Sequence, residues 1–88
     1  MYRVGLPGWK IAARHGIPVR LRVNIRQDLE ANVYVADSPD LDGLIVEGHT
    51  LDDIKSEALA AAGVLLELAL DTKPIAHTDF FMHSAVPA

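Results

Sequence analysis

Three aspartates crowd the turn Asp37-Ser38-Pro39-Asp40-Leu41-Asp42, and closely spaced carboxylates are the ligands a hard cation takes. The same residues also make an ordinary solvated turn. Asp and Ser side chains hydrogen-bond the backbone beside them, and Pro pre-sets a bend. The turn is their expected use. Four histidines, His15, His49, His77 and His83, are the other metal-capable groups. No two share a helix face and the chain has no cysteine, so a zinc spacing is lacking. His77, Asp79 and His83 fall on one face if the tail is a strand, and no metal is expected there either. No Ser/His/Asp arrangement can be placed and no Gly-rich phosphate loop is present. Gly8, Gly16, Gly43 and Gly48 stand at turn positions, where a positive φ accounts for them. No catalytic residue, metal or cofactor is expected, and function must rest on binding.

The charges are sorted along the chain. Six of the eight basic residues precede Gln27 and all twelve acids follow it, so the first 26 residues carry +6 and the rest −10. Two uses are open. One face can meet an anionic partner and another a cationic one. Alternatively, the two blocks compensate each other across the fold.

Several elements must position these groups. Val19, Leu21, Val23 and Ile25 alternate with Arg20, Arg22, Asn24 and Arg26, which predicts a half-buried strand over 19–26. A turn at 27–31 returns the chain as a strand over 32–36, with Val33 and Val35 inward and Asn32 and Tyr34 outward. A short apolar strand over 44–47 completes an antiparallel meander. Thr50 is a suitable N-cap, and Asp52 and Asp53 suit the positive end of a helix dipole. The helix is expected from Leu51 to about Leu70, before Pro74, with an apolar stripe of Ile54, Ala58, Ala61, Leu65 and Leu68. A second ridge, Leu59, Leu66 and Leu70, exceeds what one sheet face needs. Gly63 suits a close backbone approach. A last strand over 75–83 places Thr78, Phe80 and Met82 on one side. Ahead of all this, residues 1–18 read as an arm with a short helix from Trp9 to Arg14, and 84–88 as a frayed end.

The order "Ser-Pro-Asp-Leu-Asp-Gly", short strand, "Gly-His-Thr-Leu-Asp-Asp", long Ala/Leu-rich helix, running from Ser38 to Gly63, resembles the central signature of HicB-type antitoxin domains. The resemblance covers about half of the chain at motif level. It implies a small α+β domain of βββαβ order over residues 19–83, an antiparallel sheet with one long helix on one face, like a trimmed RNase H fold. It also implies that the domain docks on a small, basic, RNA-cleaving toxin of a type II toxin–antitoxin system and covers its catalytic histidine. An RNase H-like nuclease would need an acid on the first strand, where Arg20, Arg22 and Asn24 stand. Many HicB proteins add a C-terminal DNA-binding domain. None is expected here, nor is autoregulation by DNA binding.

Three candidate surfaces follow. Asp37, Asp40, Asp42 and Glu47, with Leu44 as an apolar anchor, form an acidic rim for a basic partner. Arg20, Arg22, Arg26 and Tyr34 form a basic outer sheet face able to take RNA or DNA. Trp9, Leu59, Leu66 and Leu70, with an unpaired sheet edge, suit self-association as a homodimer or higher oligomer. An inhibitor of another host protein would use the same surfaces. The longest apolar run, Ala58 to Leu66, is nine residues and too short to span a bilayer. With no signal-peptide pattern either, a cytoplasmic protein is expected.

Overall fold

The computed structural model describes residues 1–83. The expected frayed end, 84–88, lies outside the described residues. The elements are β1 (Tyr2–Arg3), α1 (Trp9–Arg14), β2 (Val19–Asp28), β3 (Val33–Asp37), β4 (Ile45–Gly48), α2 (Leu51–Leu70) and β5 (Ala76–His83). One five-stranded sheet carries them, with α2 packed over β4 and β3. The expected class, a small α+β domain with one long helix on a sheet, is the class observed.

The meander β2-β3-β4 is antiparallel as expected, but the sheet as a whole is mixed. β5 pairs β2 in parallel, in register from Val19↔Ala76 to Arg26↔His83. The cause is the connection. A single helix crossing the sheet returns the chain to the end where β4 began, so β5 must run in the direction of β4, which is also that of β2. β1, not foreseen at all, also lies parallel to β2, at Tyr2↔Val19 and Arg3↔Arg20. Since β5 occupies one edge of β2, β1 and β3 share the other. β1 holds its start, and β3 holds residues 24–28.

Facing follows from register. Val19, Leu21, Val23 and Ile25 point inward and are fully buried, as their alternation predicts. β3 is the exception: Ile25 pairs Ala36 and Gln27 pairs Tyr34. Opposed residues share a face. Ala36 and Tyr34 therefore point inward, while Val33, Val35 and Asp37 point outward, the reverse of the expected pattern. The turn decides this. Asp28 Oδ1 accepts from the N–H groups of Glu30 and Ala31 at 3.1 and 3.2 Å, and Asn32 takes a φ of 56°. This closes the hairpin on Asp28↔Val33. Asp28 lies on the outer face, so Val33 must too; one residue of offset turns every side chain over.

Helix α2 begins where expected. Thr50 Oγ1 accepts from Asp53 N–H at 3.1 Å. Its buried line is Ile54, Ala58, Ala62, Leu66 and Leu70, a run of fours rather than the predicted alternation of fours and threes. Such a row tilts across the helix, so the contact line drifts off Leu68, which is 76% exposed. Ala61 and Leu65 pack beside it, half-buried. Gly63 has open space around it, not the neighbouring backbone expected there. Gly48 has the close approach instead. A Cβ there would lie 3.0 Å from Ile54 N, so the glycine lets the start of α2 sit on β4, and a positive φ is not its reason. The arm is built in: Val4 and Ala13 belong to the core cluster.

Candidate partner-binding surface

The Ser-Pro-Asp turn fills a gap in the sheet. Between β1 and β3, the edge of β2 has no strand beside Arg22. Buried backbone groups need partners, and here two side chains supply them. Ser38 Oγ donates to Arg22 O at 2.6 Å, and Asp40 Oδ2 accepts from Arg22 N–H at 2.8 Å. The Arg22 guanidinium then grips the same carboxylate, Nη2 to Oδ1 at 2.7 Å and Nε to Oδ2 at 3.1 Å. Asp40 is thereby 4% exposed at its side chain. The guanidinium holds its carboxyl below the ordinary range, against the opposing effect of burial, and the carboxylate raises Arg22 in turn.

The other two strand arginines are also taken. Arg20 pairs Asp79 on β5, and Arg26 pairs Asp37 on β3 at 2.9 Å. The outer face of β5-β2-β3 is thus laced by opposite charges, and the two charge blocks of the sequence meet across it. Three of the twelve acids and three of the eight basic side chains are consumed, leaving nine against five.

Several expected site residues sit elsewhere. Tyr34 faces inward against the core, so no aromatic from β3 stands beside the arginines. Leu44 is 1% exposed and belongs to the core, so it cannot anchor a partner. Its neighbour Ile45 can: it is 72% exposed, on the outer face opposite Asp37. The continuous apolar run Leu44-Ile45-Val46 allowed either choice. Asp40 is withdrawn into its ion pair, whereas Asp42 and Glu47 are exposed. A shallow recess lined by Asn24, Asp37, Pro39, Asp42 and Ile45 brings Asp42 to Ile45, and Glu47 follows Ile45 on the same outer face of β4. Leu66 and Leu70 are core residues, 1% and 2% exposed, and leave Leu59, at 50%, as the free member of that ridge. Trp9 docks half-buried on the core of its own chain, with the Lys10 amine 5.9 Å from its ring. On β5, His77, Asp79 and His83 do share the outer face. Asp79 is held by Arg20, and His83 Nε2 lies 3.1 Å from Asn24 Oδ1.

Residues 20–82 match the family described as Domain of unknown function (DUF1902). No curated protein matches the chain. Among solved structures it is similar to hypothetical protein TTHA1013 from the extremely thermophilic bacterium Thermus thermophilus. The two are 27% identical with a TM-score of 0.58, over 78% of this chain and 96% of that one. No helix among the described residues is long and apolar enough to cross a membrane.

Proposed function

We infer that this chain, which its match over residues 20–82 makes a member of the DUF1902 family, is a non-enzymatic binding domain. Its partner is a small basic protein, in the manner of an antitoxin that covers an RNA-cleaving toxin. The observation that carries this is the charge left over. With the strand arginines neutralised inside the fold, the surplus is acidic, and part of it rims one exposed apolar side chain. Asp42 and Glu47 flank Ile45 at the β3–β4 end of the sheet. A basic surface would be steered to that rim and desolvated on Ile45. The motif from Ser38 to Gly63, which resembles HicB antitoxins, supports the toxin as the kind of partner. The arginine face supports nucleic acid less well, because a phosphate would have to displace Asp79, Asp40 or Asp37 from its pair.

The test is capture on tagged protein from the native host at physiological salt after nuclease treatment. Ile45→Lys/Glu47→Lys, which touches no core residue, is run alongside. A stoichiometric small basic protein should be held by the wild type and lost by the variant, and purified chain should then inhibit its RNA cleavage at one-to-one. Retention by both proteins, or recovery of nucleic acid alone, refutes the assignment.

A further inference from the structure

Strand β5 has one edge against β2, and its other edge has no partner among the described residues. Val19 N–H donates to Ile75 O. The odd-numbered residues of β5 therefore bond to β2, while Ala76, Thr78, Phe80 and Met82 turn their N–H and C=O groups outward. The same four side chains form the inner face, which α2 leaves open. Ala76 is exposed, Met82 is 50% exposed, and Phe80 is half-buried under the Lys55 amine at 6.0 Å. The near flank of α2 is apolar as well, with Leu59 at 50% and Val64 at 59% exposure, and a groove runs between it and Ala76. Natural edge strands are blunted by prolines, bulges or inward-pointing charges. This edge has an unbroken register from Ala76 to His83 and none of those features.

We propose that a second copy of this chain covers the edge, its β5 running antiparallel to the first about a twofold axis at Phe80. The strand is complementary to itself in length, facing and charge. Opposed residues must share a face, so the axis must pass through a residue, and the longest overlaps centre on Asp79 or Phe80. Centring on Asp79 sets that carboxylate against its own copy, which is unfavourable. Centring on Phe80 sets Asp79 opposite Phe81, His77 opposite His83 and Thr78 opposite Met82 of the second copy. No like charges face each other, and the inner pairs set Phe80 against its copy and Thr78 against Met82. The outward N–H and C=O groups of Thr78, Phe80 and Met82 then close a ladder, and the sheet continues through both copies with the helices on one side. This surface lies at the opposite edge from the acidic rim, so the two readings stand or fall separately.

Sedimentation equilibrium on the full chain tests it. The wild type should show twice the chain mass of 9.6 kDa. Thr78→Lys/Met82→Lys sets lysine against lysine twice and should weaken association about tenfold or more. Thr78→Lys/Met82→Glu restores opposite charges in the same register and should recover association to within a few-fold of wild type. Hydrogen exchange on unsubstituted protein gives an independent readout: the amides of Thr78, Phe80 and Met82 should gain protection as concentration rises. A monomeric wild type overturns the proposal. So does a Lys/Lys variant that associates normally, a Lys/Glu variant no better than Lys/Lys, or concentration-independent exchange at those amides. Binding of a foreign strand or a nucleic acid at this edge, with the chain itself monomeric, does so too.

Discussion

Asp40 is the residue on which the motif turns. Its carboxylate serves as the missing strand partner of Arg22 N–H and as the counter-ion of the same residue's guanidinium. Asp40→Ala leaves the part-buried Arg22 N–H without its acceptor, and should cost about 1–3 kcal/mol in chemical denaturation. Asp79→Ala, whose pair with Arg20 is about half-exposed, should cost no more than about 1 kcal/mol. The pair also sets a pH dependence. Asp40 is held below its ordinary value of 3.8, so as pH falls the unfolded chain takes up this proton first. The stabilisation is whole above the ordinary value and is lost as pH drops through the depressed one. Acid titration of wild type against Asp40→Asn should show the two stability curves converging at the acid end. One consequence concerns probes of binding. Arg22→Glu and Asp40→Lys break one and the same ion pair, so neither isolates a surface, whereas Ile45, Asp42 and Glu47 are free to report on one.

At the scale of elements, Gly48 and Thr50 join strand to helix. Gly48→Val puts a branched side chain against Ile54 N and Cα, which a Cβ alone already approaches to 3.0 and 3.2 Å. Helix α2 must then shift off β4, and the melting temperature should fall well beyond the effect of Thr50→Ala, which removes one cap at about 0.5–2 kcal/mol. These local devices are also what the sequence spells out. A cap, an acidic first turn and an Ala/Leu run place α2 at its observed bounds, and clean alternation places β2. Where facing depends on the register in which strands pair, the apolar pattern of one strand is silent. Val33 and Val35 look more apolar than Tyr34 and Ala36, yet the closure of the hairpin on Asp28↔Val33 turns them outward. The same limit hid the site. Leu44 and Ile45 are equivalent as letters, and only the pairing of Ile45 with Asp37 makes the second one exposed. The pairs of Arg20 with Asp79 and Arg22 with Asp40 join residues 59 and 18 positions apart, which no local pattern reports.

At the scale of the molecule, residues 1–18 lie ahead of the region matched by the family, which begins at Arg20, yet the fold uses them. Tyr2 N–H donates to Pro18 O at 3.0 Å and Val4 N–H to Arg20 O at 2.9 Å, closing the start of β2, ahead of the stretch at Arg22 that Ser38 and Asp40 fill. Val4 is 1% exposed and Ala13 is 4%, and Arg14 Nε donates to Leu70 O at the far end of α2. The arm therefore ties β2 to the end of the helix and covers the apolar surface between them. Val4→Ala should cost about 1–3 kcal/mol through the cavity it leaves. Removal of residues 1–18 should cost more, because it uncovers the Arg20 carbonyl as well as the core beneath Val4 and Ala13. Urea denaturation separates this from a loosely attached arm. A docked arm lowers both the midpoint and the slope on deletion, since less surface is exposed on unfolding, while an independent one changes neither. Ile45, Asp42 and Glu47 lie outside the deleted segment and take part in none of the hydrogen bonds that hold it. The truncated chain, studied where it remains folded, should therefore bind the proposed basic partner as the full chain does. Loss of both stability and binding in step would mean that the arm also shapes the acidic end, against the division of labour drawn from the contacts.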